Sequence, residues 1–226
     1  AGKTEYLRYD REGNVVESTD RNGNVLQTTY NMYHSVTSRR SKTGDINEAY
    51  GYYPDGRLQY AIGGGMRYEY HYDSMGRVTQ KKASARTLLT YTYDLNGNQS
   101  SITDLTGKTT TYRYDAADRI TEVADNGTIR ARYRYHADGT LRQLEVGETL
   151  LTEYGYDKDK NILSQKTLLQ PAEGSPVILT DNTYRYDGNA NRIGKHTLSG
   201  ETRYTYDCLN QVTKAETPQG TEQYTY

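Results

Sequence analysis

Tyr70-His71-Tyr72-Asp73-Ser74-Met75-Gly76-Arg77-Val78 is one copy of a pattern that runs the length of this 226-residue chain. Its head, Tyr-x-Tyr-Asp, returns as Tyr91-Thr92-Tyr93-Asp94, Tyr112-Arg113-Tyr114-Asp115, Tyr154-Gly155-Tyr156-Asp157, Tyr184-Arg185-Tyr186-Asp187 and Tyr204-Thr205-Tyr206-Asp207. At Tyr133-Arg134-Tyr135 the aspartate is replaced by His136. The second tyrosine stands at positions 9, 30, 52, 72, 93, 114, 135, 156, 186, 206 and 226. Copies at Tyr30-Asn31 and Tyr52-Tyr53 lack the aspartate but keep the apolar residue downstream, Val36 and Leu58. A period of about 21 residues, held this long, is the signature of a repeat architecture. Such arrays work by surface and shape more than by one catalytic cleft.

Within a repeat the pattern is that of strands. Tyrosines two apart point to one face, and the Thr, Arg, His or Gly between them suits a solvated opposite face. Thr and Tyr are good strand formers, as in Thr109-Thr110-Thr111-Tyr112. No window carries a sustained helical stripe. The aspartate opens a turn, because its carboxylate can accept from backbone N–H groups just ahead. Gly76 then supplies the positive φ of a bulged hairpin, and Gly13, Gly56, Gly97 and Gly139 fill the same slot. Asp118 and Asn210 stand there too, and both tolerate the left-handed region. Lys160, Ala190 and His34 tolerate it less well, which predicts another turn at those three. The chain runs on through Val78, Ile120, Leu141, Ile162 or Val212. A second, looser turn then returns it, marked by Gly107-Lys108, Asn126-Gly127, Ser199-Gly200 and Gln219-Gly220.

Each repeat is therefore one hairpin, and the fold expected is all-β: an array of antiparallel β-hairpins in a curved or spiralling sheet. About ten repeats of about 21 residues fill residues 1–226. The single wide gap holds Gln170-Pro171-Ala172-Glu173-Gly174-Ser175-Pro176, which predicts a loop insertion near residues 168–180. The pattern is already under way at the start and stops inside a motif at Tyr226, so the chain reads as an excerpt of a longer array.

Composition agrees. There are 25 Tyr and neither Phe nor Trp, and hydrophobic residues make up 34%. Too little aliphatic material remains for a thick core. Tyrosine fills the gap, since its ring buries about 150–250 Å² while its hydroxyl seeks a partner. A mean hydropathy of −0.98 suits disorder in a featureless chain, but the strict period argues against it. Net charge is −1, which leaves no basic field for nucleic acid or an anionic membrane. No apolar run is long enough to span a bilayer, and no signal peptide is present. Cys208 is alone, so no disulfide holds the fold, and it occupies a variable turn position.

These residues resemble the YD-repeat, or RHS-repeat, family. Tyr-Asp-x-x-Gly-Arg-Val is intact from Tyr72 to Val78, and the resemblance covers essentially the whole chain. It implies a long antiparallel sheet spiralling into a hollow shell. Such shells occur in bacterial insecticidal toxin complexes, in RHS and wall-associated polymorphic toxins, and in teneurin adhesion proteins. In the bacterial cases the shell encloses a C-terminal toxin domain. The residues that match the motif have structural roles: Tyr70, Tyr72, Asp73, Gly76; Tyr91, Tyr93, Asp94, Gly97; Tyr112, Tyr114, Asp115; Tyr133, Tyr135, Gly139; Tyr154, Tyr156, Asp157; Tyr184, Tyr186, Asp187; Tyr204, Tyr206, Asp207. No plug, propeller-like neighbour, self-cleavage site or toxin is recognisable, so cage closure and self-processing do not carry over.

Several fragments imitate catalytic motifs. Gly107-Lys108-Thr109-Thr110 looks like the tail of a phosphate loop, but its leading Gly falls at Ile102 and the setting is strand-turn-strand. Asp187-Gly188-Asn189-Ala190-Asn191 begins like a calcium loop, yet Arg192 and Leu198 replace the Gly and Glu it needs. His34, His71, His136 and His196 lack metal spacing. No catalytic residue, cofactor or metal is expected, and the chain is not read as an enzyme. The leading expectation is a shell segment of a secreted or surface-delivered bacterial toxin-like protein, whose partners are the rest of the shell and an enclosed cargo. Edge strands near Tyr6 and Tyr226 invite self-association. The alternatives are a carbohydrate or cell-wall binding module, although such repeats lean on Trp, and a teneurin-like adhesion scaffold.

Overall fold

Repeated Tyr, Thr and Val in alternation fold as expected. The computed structural model describes residues 4–226, and every regular element among them is a β-strand. The chain divides into two units, Ala1–Thr109 and Thr110–Tyr226. The first holds β1 Tyr6–Tyr9, β2 Val15–Thr19, β3 Val25–Tyr30, β4 Val36–Ser41, β5 Asn47–Tyr52, β6 Leu58–Gly63, β7 Met66–Tyr72, β8 Val78–Ala83, β9 Arg86–Tyr93 and β10 Gln99–Asp104. The second holds β11 Thr109–Tyr114 (save its first residue), β12 Ile120–Asp125, β13 Thr128–Tyr135, β14 Leu141–Val146, β15 Leu150–Tyr156 and β16 Ile162–Leu169. It continues with β17 Val177–Tyr186, β18 Arg192–Thr197, β19 Gly200–Tyr206, β20 Val212–Thr217 and β21 Gly220–Gln223.

In each unit every strand pairs antiparallel with its sequence neighbour, giving a meander. Among the described residues strands touch only those neighbours, so no second layer folds onto the sheet of either unit. The consequence shows in burial. Among the described residues only Ala83, Ala124, Leu151 and Ala215 are buried apolar side chains, and the tyrosines of the inner strands are half-buried.

The hairpin closes as the sequence predicts. Asp73 N–H donates to the Arg77 carbonyl and Gly76 N–H to the Asp73 carbonyl, each at 3.0 Å. Gly76 has φ +82°. The turn adds one residue, so the register shifts between His71 and Tyr72, and Tyr72 faces Val78. The same shift precedes Tyr9, Tyr30, Tyr52, Tyr114, Tyr135, Tyr156, Tyr186 and Tyr206. A bulge at a fixed place in each hairpin is a designed feature of the repeat.

Two expectations are corrected. His34, Lys160 and Ala190 do not use another turn: they adopt φ +60°, +66° and +63° in the standard one. The bracing hydrogen bonds outweigh a left-handed penalty of about 1–2 kcal/mol per residue. The return turns are not looser. Asp104 and Gly107 build the same closed turn, with Asp104 N–H on Lys108 O at 2.9 Å, and Asn126-Gly127 is a tight two-residue turn with both φ positive. The insertion near 168–180 loops over residues 170–176, closed by the pairing of Leu169 with Val177.

Candidate functional surface

The turn aspartate is the first fixed element. Asp73 Oδ1 accepts from the N–H groups of Met75 and Arg77 at 3.0 and 2.9 Å, and Oδ2 accepts from Arg77 Nε at 2.8 Å. Asp115, Asp157 and Asp187 repeat this cage, with Asn161 and Asn191 in place of arginine. These bonds favour the ionised form, so the carboxyls lie below their ordinary pKa: Asp73 chiefly through the Arg77 backbone, Asp115 through the Arg119 side chain, Asp187 through the Asn191 side chain.

Where the aspartate is missing, the cage moves. Asn31 supplies the same acceptor to Tyr33 and Ser35. At Tyr53 and His136 an aspartate two residues on takes over part of the work: Asp55 accepts from Arg57 N–H at 3.1 Å and Asp138 from Thr140 N–H at 3.0 Å. Freed of that duty, the aromatic side chains reach the next repeat. Tyr53 meets Tyr72 edge-to-face at 6.0 Å, and His136 meets Tyr156 at 6.1 Å.

The second tyrosine is the coupling element. Its hydroxyl donates to the backbone carbonyl that opens the second strand of the preceding repeat. Tyr52 reaches Val36, Tyr72 reaches Leu58, Tyr93 reaches Val78 and Tyr135 reaches Ile120, at 2.7 to 2.8 Å. Tyr30, Tyr186 and Tyr206 do the same to Val15, Ile162 and Arg192 at 2.9 to 3.0 Å. The acceptor sits beside the bulge, where the regular pairing is interrupted, so the hydroxyl satisfies a backbone group in a place the sheet leaves irregular. Burial raises the pKa of Tyr72, Tyr93, Tyr135, Tyr156, Tyr186 and Tyr206 above 10.0, which keeps them donors.

Arginine adds a tie in the same direction. Arg57, Arg77 and Arg119 lie over the rings of Tyr72, Tyr93 and Tyr135 at 4.9, 4.5 and 4.5 Å. Arg57 also donates to the Asp73 carbonyl at 3.2 Å. The Gly-Arg pair of the repeat thus has two ends. The arginine braces its own aspartate and covers the next tyrosine, lying close over the next turn glycine, as Arg77 does at Gly97.

The first tyrosines, Tyr70, Tyr91, Tyr112, Tyr133, Tyr154, Tyr184 and Tyr204, share the face of the second ones by strand alternation. Lys81 lies over Tyr70 and Tyr68, and Tyr184 contacts Gln165 at 3.4 Å. The opposite face is polar. In the second unit it carries a cross-strand charge ladder: Arg113 with Glu122, Glu122 with Arg132, and Glu145 with Arg132 and Arg134 at 3.2 to 3.6 Å. Arg185, Glu201 and Arg203 continue it further along. Among the described residues no cluster of His, Cys, Asp or Glu is arranged to hold a metal. A cleft of about 710 Å³ is open and lined by turn and strand residues such as Asp10, Asn14, Tyr30 and His34.

In each unit the hairpins form a one-layer sheet, and tyrosine hydroxyls at Tyr30, Tyr52, Tyr72, Tyr93, Tyr135, Tyr186 and Tyr206 tie a repeat to the one before. Residues 57–146 match the family model Teneurin YD-shell, which supports the resemblance of these repeats to the YD-repeat, or RHS-repeat, family. The fold of this chain is that of solved toxin-complex structures. The crystal structures of TcdB2-TccC3 and of TcdB2-TccC3-Cdc42 each superpose with a TM-score of 0.77 at 18% identity, over 95% of this chain and 13% of the other. TcdB2-TccC3-TEV gives a TM-score of 0.76 at 17% identity, with the same coverage. This chain thus spans 13% of the length of the structures it matches, and at these identities the likeness shows the fold. No curated protein matches the sequence.

Proposed function

We propose that the chain is a non-catalytic stretch of shell wall that encloses or scaffolds a polypeptide. The observation that carries this reading is the direction of the ties. Tyrosine hydroxyls and arginine planes run from repeat to repeat, so they extend a sheet and do not converge on a cleft. Both faces stay uncovered by other elements of their own unit, as suits a wall with a lumen on one side. On this reading residues 1–226 are one array of about ten hairpins, and the motif tyrosines, aspartates and glycines are its structural residues. The partners are the rest of the shell and an enclosed toxin or cargo. The parent is secreted or surface-delivered, and bacterial. The matched structure of TcdB2-TccC3 without hypervariable C-terminal region is consistent with a variable segment accompanying such a wall. Against a carbohydrate module, arginines already occupy ring faces of Tyr72, Tyr93 and Tyr135.

Limited proteolysis of the intact parent protein tests the proposal. An enclosed segment should resist protease until the shell is opened by denaturant. Cleavage of that segment in the intact protein at the rate seen for the isolated segment would refute enclosure.

A further inference from the structure

The β16–β17 hairpin makes a step in the return edge of the second unit. β16 follows β17 over Ser164–Leu169, paired with Val177–Thr183, and on its other side β15 covers it to Leu169. β18, by contrast, pairs with β17 only from Thr183 to Tyr186. Among the described residues no strand therefore lies beside the outer edge of β17 from Val177 to Asp181, a length of about 16 Å at the usual rise per residue. Val177, Ile178 and Leu179 are 51%, 43% and 44% exposed, three large apolar residues in a row. At the foot of the step lies a notch of about 450 Å³ lined by Asp181, Thr183, His196, Thr197, Leu198 and Gly200.

An open strand edge recruits another strand, since its free N–H and C=O groups need an extended backbone and not a helix, lipid or sugar. Proteins usually blunt such edges with lysine, proline or a bulge. Val177-Ile178-Leu179-Thr180 contains no charge and no proline, and its one blunting device is the bulge that leaves Leu179 as the extra residue.

We propose that this edge pairs with the same segment of a second copy of the chain, antiparallel about a two-fold axis. Two observations select that occupant. A register centred between Ile178 and Leu179 sets Val177 opposite Thr180 and Asp181 opposite Pro176, so the segment meets itself without like charges in contact. The shape is also self-complementary, because each copy offers both a projecting hairpin and a notch beside it, as an isologous interface requires. Asp181, held near Lys166 at 3.9 Å, closes the paired run at one end, and Pro176, which has no N–H, closes it at the other. The contact is short, so the association is weak and depends on concentration.

Sedimentation equilibrium and amide exchange over a concentration series test the pairing. The expected result is a reversible dimer, with exchange at Ile178–Asp181 slowing as concentration rises. Ile178→Lys, at an exposed position, should lower the association constant about tenfold or more with the melting temperature unchanged. Leu7→Lys, on the exposed β1 edge, should leave this dimer intact, which separates the step from association through the end strands. A chain that stays monomeric, a dimer indifferent to Ile178→Lys, or protection of these amides only when a different protein is added would overturn the proposal.

Discussion

The turns Asp73–Arg77 and Asp187–Asn191 close the same hairpin with different residues. Both aspartate N–H groups bond the carbonyl four residues on at 3.0 Å, and both carboxylates accept from the N–H groups two and four residues on, at 2.9 to 3.0 Å. The fourth position differs: Gly76 at φ +82°, Ala190 at φ +63°. So does the fifth. Arg77 covers Tyr93 of the next repeat, while Asn191 donates to Asn210 Oδ1 at 2.7 Å. The aspartate therefore sets the turn, the glycine lowers its strain, and the fifth residue chooses how one repeat grips the next.

Acidification acts on the Asp73, Asp115, Asp157 and Asp187 turns at once, so it is the largest expected effect. Hydrogen bonding holds Asp73, Asp115, Asp157 and Asp187 below the ordinary 3.8. The stabilisation is present above that value and is lost as pH falls through the lower folded values. Near-ultraviolet circular dichroism of the tyrosines should show a falling melting temperature below about pH 4. The Asn31 turn has no titrating carboxylate, and its amides should keep their exchange rates longest. An unchanged melting temperature down to pH 2 would dismiss the aspartate cage as the organiser.

Gly76→Val is next. It forces a β-branched residue to positive φ and should cost about 1–3 kcal/mol. An unchanged melting temperature would mean the carboxylate cage absorbs the strain, as it does with Ala190. Tyr93→Phe removes the donor to the Val78 carbonyl and should cost about 1 kcal/mol in denaturant unfolding. A double-mutant cycle between Arg77→Met and Tyr93→Leu should give a coupling of about 0.5–1 kcal/mol. Zero coupling would reduce the arginine to a brace for its own turn. Smallest is Ala190→Gly, which should stabilise by about 0.5 kcal/mol, strain relief being partly offset by a freer unfolded chain.

Much of the fold was legible in the chain. Strand positions follow from tyrosines two apart, and turns from Asp-x-x-Gly, because both depend on the local backbone alone. The coupling surface was half legible. That the second tyrosine needed a partner was evident from its hydroxyl; that the partner is a carbonyl of the preceding repeat was not, because it depends on how neighbouring strands are offset. The exchange of duties at Tyr53-Asp55 and His136-Asp138 left a signal that is easy to read in retrospect, a displaced aspartate beside an aromatic residue. Asp20 and Asp104 likewise carried the turn signature into the return loops, where Asp20 N–H bonds Asn24 O at 2.9 Å.

Period, hairpin unit, turn chemistry and the division into a tyrosine face and a polar face were determined by the sequence itself, since each follows from alternation and from φ preferences within a few residues. The tertiary structure decided what lies between repeats: the tyrosine-to-carbonyl bonds, the arginine over the next ring, and the step where β17 outruns β18. Those contacts join residues 14 or more positions apart, and only the register of one strand against another brings such residues together.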